Sequence, residues 1–316
     1  MDNDDVKQML MKILFISSGN NRLGISPIIY NQGESLKKIN CEISYFTINK
    51  KGVFGYLYNI IRLRKHLKRY QYDIVHAHYS FCGFVATFAG AKPLVVSLMG
   101  SDIIESSFFR QITIFFIKKI WKETIVKSDE MKKMLSINTI HVIPNGVNFE
   151  QFKPINKEIA LDKLNWDKTK KHILFAADPK RKEKNYKLTE LAFAELNRKD
   201  ICLQSLNNVD NSLMPYLYNA ADVIVLSSFH EGSPNVIKEA MACNKSIVST
   251  NIGDVKTLIH GVKGCYLADF NILDFSTKLS QAIEFNKPTE GRNHINHLKS
   301  ETIANEIISL YKKHIK

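Results

Sequence analysis

The sequence predicts an α/β protein built of two doubly wound, Rossmann-like parallel-sheet domains. Short apolar runs alternate with amphipathic helical patterns in two successive series, the signature of parallel strands joined by crossover helices. A loop with Pro, Asn and Gly, "VIPNGVNFEQFKP", parts the two series. The 316 residues exceed what one compact core ordinarily holds. The expected domains are residues 1–150 and 151–299.

In the first series, "MKILFISS" (11–18) is a short apolar run, the pattern of a parallel strand buried on both faces. After the loop "GNNRLGIS", Ser26-Pro27 opens a helix over 27–40, with proline at the first helical position, where its missing N–H costs nothing. "CEISYFTI" is the second strand, and "YLYNIIRLRKHLKRY" (56–70) a basic amphipathic helix. "YDIVHAHY" is a strand, the helix over 81–90 ends at Gly90, and "PLVVSLMGSD" is a strand with its loop. "FFRQITIFFIKKIWKETI" (108–125) reads as one helix, and "HVIP" as the last strand of the series. In the second series the strands are "KHILFAAD", "ICLQSL", "DVIVLSS", "SIVST" and "GCYLA". Helices are expected over 186–199, 212–221, 234–243, 255–260 and 272–286, and a last one over 301–316.

The opening "MDNDDVKQML" is acidic and lacks the basic start of a secretory signal, so residues 1–10 read as a tail or as a start placed upstream of Met11. No apolar run reaches the roughly 20 residues that span a bilayer. Five cysteines, odd in number and widely spaced, point to reduced thiols rather than to disulfides or a zinc site. The expected location is the cytoplasm, peripheral on the inner face of the cell membrane. Net charge is +13, and residues 51–133 alone hold 14 Lys and Arg against 6 Asp and Glu. That excess predicts an anionic partner. Its mixture with Phe, Trp, Ile and Tyr in two helices favours an anionic membrane surface. No nucleic-acid partner is expected, because no helix-turn-helix, finger or RNA-binding signature is present.

"HEGSPNVIKEAMAC" (230–243) carries the chemistry. Ser233 is an N-cap candidate and Pro234 a first helical residue. The amides of Asn235 and Val236 then face outward at the positive end of the helix dipole, a place for an anion. Gly232 lets a ligand approach the backbone. Glu231 stays in the loop, and Glu239 lies roughly 7–8 Å along the helix at 1.5 Å per residue. An extended ligand with a central anion and hydroxyls at both ends fits this layout, and a sugar–diphosphate–nucleoside is such a ligand. The alternative is a loop carboxylate and a solvated helix residue.

With its flanks the segment resembles the signature of the family 4 (group 1) retaining glycosyltransferases. The matching residues are Asp222-Val223, Ser227, Glu231-Gly232-Ser233-Pro234 and Glu239-Ala240-Met241-Ala242-Cys243. Pro144 to Pro154 is similar to the family's interdomain Pro-Asn-Gly-Val segment, and the last helix to the one that crosses back to the first domain (here 300–316). The resemblance implies the GT-B fold, two such domains facing across a cleft. It implies sugar transfer from a nucleotide-sugar donor, which is a substrate and not a cofactor, to a lipid-linked or oligosaccharide acceptor in cell-surface polysaccharide synthesis. Retention at the anomeric carbon and no metal are implied too. Carried over, Glu231 faces the donor sugar, Glu239 holds the ribose, and Lys184 with Arg181 and residues 232–236 meets the diphosphate.

Two departures stand out. Ala177-Asp178 occupies the place where many members have Gly-Arg. Met99, before Gly100 in "SLMGSD", stands where many have a histidine, and methionine neither relays a proton nor donates a hydrogen bond. His78 is the candidate polar group from the neighbouring strand end. Asp102 is a candidate either to hold an acceptor hydroxyl or to cap a helix. Gly19 and Gly24 mark a loop expected near the acceptor and phosphates, without the dinucleotide fingerprint. The base, uracil or guanine, is expected to meet backbone groups in "SLNNVDN". The alternatives are a nucleotide-sugar epimerase or a non-catalytic nucleotide-sugar-binding protein.

Overall fold

The structure, a computed structural model, describes residues 10–19, 24–50, 52–104, 106–206 and 209–315. The expected tail lies almost wholly outside the described residues, as do the centre of the Gly19–Gly24 loop and Asn207-Asn208. Two compact units form, one from residues 1–127, 135–143 and 301–316, the other from 128–134 and 144–300. Residues 144–150, placed with the first domain on sequence grounds, fall in the second unit. There Val147 N–H donates to Leu298 O at 2.9 Å and Ser300 N–H to Val147 O at 2.9 Å.

Among the described residues the first unit holds six parallel strands: β1 Met11–Ser18, β2 Cys41–Ile48, β3 Ile74–His78, β4 Leu94–Ser97, β5 Glu123–Val126 and β6 His141–Val142. Their order is β2-β1-β3-β4-β5-β6. The core strands are apolar on both faces; Ile13 to Ile16 are fully buried. The expected helix over 108–125 is corrected. It ends at Lys119, and 123–126 forms β5 between β4 and β6. Thr124, Ile125 and Val126 are β-branched, suited to the interior of a sheet. The last helix, Ser300–Lys312, packs on this unit as expected. Tyr311 is fully buried with its hydroxyl against His76 Nδ1, and His314 Nε2 bonds Glu123 Oε1 at 2.8 Å.

The second unit holds five parallel strands: β7 Lys171–Phe175, β8 Ile201–Ser205, β9 Val223–Leu226, β10 Ser246–Thr250 and β11 Cys265–Ala268, ordered β11-β10-β9-β7-β8. The doubly wound organisation is therefore present in both units. Asp222 fixes the central pairing. Its Oδ2 accepts from His172 N–H at 2.7 Å, and its Oδ1 pairs with Lys157 Nζ at 2.6 Å. Phe175, Val225, Val248, Phe275 and Leu279 fill the core beside this sheet.

Candidate active site

In the second unit the strand order reverses at β7, with β8 on one side and β9 on the other. Ligands of doubly wound sheets bind outside the carboxyl ends of the strands at such a reversal. The loops leaving β7 and β9 carry Lys184 and Glu231, and the structure brings these two together. Lys184 Nζ pairs with Glu231 Oε1, which also accepts from Ser228 Oγ at 2.9 Å. The loops are stapled behind the pair. Ser227 Oγ contacts Lys184 O at 3.1 Å and Asn185 O at 2.9 Å, and Phe229 N–H donates to Glu183 O at 3.0 Å. Each such bond contributes about 1 kcal/mol, so a cation and a carboxylate are held at fixed positions. The guanidinium of Arg181 pairs with Glu183 at 2.7 Å, and its side chain is more than half exposed.

The helix that follows is Asn235–Ala242, with Pro234 rather than Ser233 as its cap residue. The expected serine cap is thus corrected by one position. Ser233 has another task, donating to Asp254 Oδ2 at 2.6 Å and accepting from Lys238 Nζ at 3.1 Å. The first-turn amides, those of Asn235 and Val236 included, have no carbonyl of their own helix to reach. Gly253 lies against this turn with φ +50, and a Cβ there would sit 2.8 Å from Gly232 O and 3.0 Å from Glu231 O. Only glycine allows that approach.

Lys238, not singled out from the sequence, is fully buried. Its Nζ donates to Asn145 O at 3.0 Å, which ties the Pro-Asn-Gly-Val segment to the Glu-Gly-Ser-Pro turn. Burial lowers its pKa from 10.5 to about 8, against the opposing pull of Asp254 and Glu239. Burial likewise raises the Asp254 carboxyl. The signal for Lys238 was its place on the apolar face, with Met241 and Ala242 three and four residues on. Glu239 accepts from Tyr218 O–H at 2.7 Å through Oε2. Burial raises its pKa, opposed by that bond and by Lys238. Tyr218 and Lys238 are the positioning residues that sequence patterns alone did not single out.

In the first unit the reversal falls at β1, between β2 and β3. His78 ends β3 and is 1 % exposed. Its ring stacks on His76 at 4.2 Å and meets Phe15 at 4.6 Å, and neither ring nitrogen has a partner among the described residues. Burial, then Lys127, holds its pKa well below the usual imidazole value. Tyr79, next in the chain, has φ +91, a conformation that costs a bulky residue about 1–3 kcal/mol. Asp102 is a staple: its carboxylate accepts from Ser80 N–H at 2.9 Å, Met99 N–H at 3.0 Å and Gly100 N–H at 2.9 Å. Asp102 lies within the short helix Ser101–Ile104 rather than at its cap position, and its carboxylate braces the backbone on both sides of it. Gly19 closes β1, its N–H donating to Ile48 O at 2.9 Å, and Gly24 has φ +75. A buried cation, Lys127, was not anticipated; its Nζ lies 3.4 Å from Ser97 Oγ and from Ile143 O.

Residues 160–284 match the family model "Glycosyl transferases group 1", and residues 28–151 match "Glycosyltransferase Family 4". The UDP-Gal:alpha-D-GlcNAc-diphosphoundecaprenol alpha-1,3-galactosyltransferase of Escherichia coli is 26% identical over 68% of this chain and 67% of its own. The N,N'-diacetylbacillosaminyl-diphospho-undecaprenol alpha-1,3-N-acetylgalactosaminyltransferase of Campylobacter jejuni is 26% identical over 80% of this chain and 78% of its own. Among solved structures, sucrose-phosphate synthase from Thermosynechococcus elongatus superposes with a TM-score of 0.79 at 16% identity, covering 96% of this chain and 98% of that one. Anabaena HepE in complex with UDP and glucose gives a TM-score of 0.75 at 15% identity, over 96% of this chain and 99% of that one. These likenesses show the GT-B fold.

Proposed function

The chain belongs to the family 4 (group 1) glycosyltransferases, and from that membership we propose that it moves a sugar from a nucleoside diphosphate sugar to a lipid-linked acceptor, with retention at the anomeric carbon. The observation that carries this reading is the Lys184–Glu231 pair at the strand reversal of the second unit, beside the start of the Asn235–Ala242 helix. An arriving diphosphate competes for Lys184 and for the helix-start amides, and Glu231, so released, accepts hydroxyls of the sugar. The bond from the anomeric carbon to the phosphate oxygen breaks as the acceptor oxygen bonds to that carbon. The acceptor proton passes to the leaving diphosphate, whose charge Lys184 stabilises. This route asks no proton transfer of Met99 or of the buried His78.

A UDP-sugar is the foremost donor and a GDP-sugar the alternative; the name of the Escherichia coli relative and the ligand of HepE support UDP. Both relatives are named for diphosphoundecaprenol-linked acceptors and for alpha products, which support the acceptor class and the retaining outcome. We place the reaction in cell-surface polysaccharide synthesis on an anionic membrane surface, with protein cations in place of a metal. The test is incubation with UDP- and GDP-sugars and an undecaprenyl-diphosphate-sugar acceptor, with and without excess EDTA. Alpha-linked product in both conditions is expected. Stereoisomer formation without acceptor, or binding without turnover, would replace this reading by an epimerase or a binding protein. Within it, Glu239→Ala is expected to raise donor KM by about 10-fold or more with a smaller change in kcat, the mark of lost ribose binding rather than lost chemistry.

A further inference from the structure

Two helices of the first unit, Gly52–Arg69 and Ser107–Lys119, carry large apolar and aromatic side chains that are largely exposed. On the first, Phe54, Leu57, Tyr58 and Ile61 are 87%, 52%, 46% and 60% exposed. Their spacing of three and four residues puts them on one stripe. The same stripe continues into Arg64, Lys65, Lys68 and Arg69, all exposed. On the second helix Phe108 and Phe115, 68% and 56% exposed, are followed along one stripe by exposed Lys118 and Lys119. Neither helix contains an Asp or Glu. The helix Ser80–Ala89 joins them into one face, through Tyr56 on Phe81 at 5.4 Å and Phe81 on Phe109 at 4.9 Å.

The layout has a direction. The first helix follows β2 and the second comes after β4, so both begin at the carboxyl edge of the sheet. Asn59 Nδ2, donating to Asn49 O at 2.6 Å, anchors that end of the first helix. Phe54, Leu57, Tyr58 and Phe108 therefore lie toward the edge that carries Met99, Gly100 and Tyr79, and Lys65, Lys68, Arg69, Lys118 and Lys119 toward the opposite edge. We propose that this face is the surface by which the protein docks on an anionic bilayer, its apolar end inserted beside the acceptor-side loops and its cations on the headgroups. The proposal rests on the lipid-linked acceptor reading and deepens it. The occupant follows from charge: six exposed Lys and Arg on the two stripes, with no Asp or Glu in either helix, complement anionic headgroups. Apolar side chains among cations at an interface are what shallow insertion requires. No described helix is long and apolar enough to cross a membrane.

The test is flotation of the full chain with vesicles of phosphatidylcholine alone and of phosphatidylcholine with phosphatidylglycerol, at low and high salt. Strong binding to the anionic vesicles only, weakened by salt, is expected. Each cation near the surface is worth about fivefold in partition, so Lys65→Glu with Lys68→Glu is expected to reduce it at least tenfold. Phe54→Ser with Ile61→Ser is expected to reduce it about tenfold and to remove the residual binding at high salt. Thermal unfolding of each variant reports that the fold is kept; Phe108→Ser on the other helix gives an independent reading. Equal partition into both vesicle types, no flotation, or full binding by the variants would overturn the proposal, as would a stable dimer in solution that buries Phe54 and Phe108. Flotation needs neither donor nor acceptor, so its failure is distinct from failure of the sugar-transfer reading.

Discussion

Lys184→Ala is expected to lower kcat on the order of 100- to 1,000-fold, the cost of removing one group that stabilises charge developing on a leaving oxyanion. Donor KM is expected to rise less, since the helix-start amides still hold the ground-state phosphates. Lys184→Arg is expected to restore only part of the rate, because a planar fork cannot reproduce a point charge in a site shaped by Ser228 and Glu231. Glu231→Gln should also be slow, and the double variant should lose little beyond the worse single one, because both residues act on one donor. Steady-state kinetics on the parent and the four variants decide this. Rates within tenfold of the parent for Lys184→Ala would remove the lysine from the leaving-group role.

Lys238→Met is expected to change stability with a recognisable pH signature. Lys238 is fully buried between Asn145 and Ser233, so methionine keeps the volume but leaves those oxygens without their donor. The donor KM should rise as the Gly232–Ser233 turn loosens. The folded pKa of about 8 lies below the usual 10.5 of a lysine. A depressed amine contributes stability fully above the unfolded value and loses it as pH falls through the folded one. Between about pH 8 and 10.5 the unfolded chain binds a proton that the native protein does not, so the stability of the parent relative to Lys238→Met should rise by about 3 kcal/mol across that window, at about 1.4 kcal/mol per pH unit. Denaturant unfolding of both proteins at pH 7, 8, 9 and 10 measures it. A difference that stays flat with pH would mean that Lys238 titrates normally.

The alternation of strands and helices was legible because buried parallel strands are continuous apolar runs and their crossover helices are amphipathic. The missed strand, Glu123–Val126, follows an aromatic helix with no Gly, Pro, Asn or Asp between them to mark the boundary, and periodicity cannot part a short buried strand from a helix end. The Ser233-Pro234 pair shows the same limit on a smaller scale. Local chemistry made Ser233 a cap, whereas a buried lysine and Asp254, both distant from the cap geometry, claimed its hydroxyl.

By itself the sequence determined the two-series α/β architecture, the charge excess of the 51–133 segment and the family signature from Asp222 to Cys243. These depend on residue type at fixed spacing, which a linear chain displays. The tertiary structure alone decided that Lys184 meets Glu231 across 47 residues, that Lys238 lies inside joining two motifs 93 residues apart, that Asp102 is a backbone staple and that His78 is buried. Burial and long-range hydrogen bonding set these roles, and both depend on how the sheets order their strands: parallel strands adjacent in space need not be neighbours in sequence.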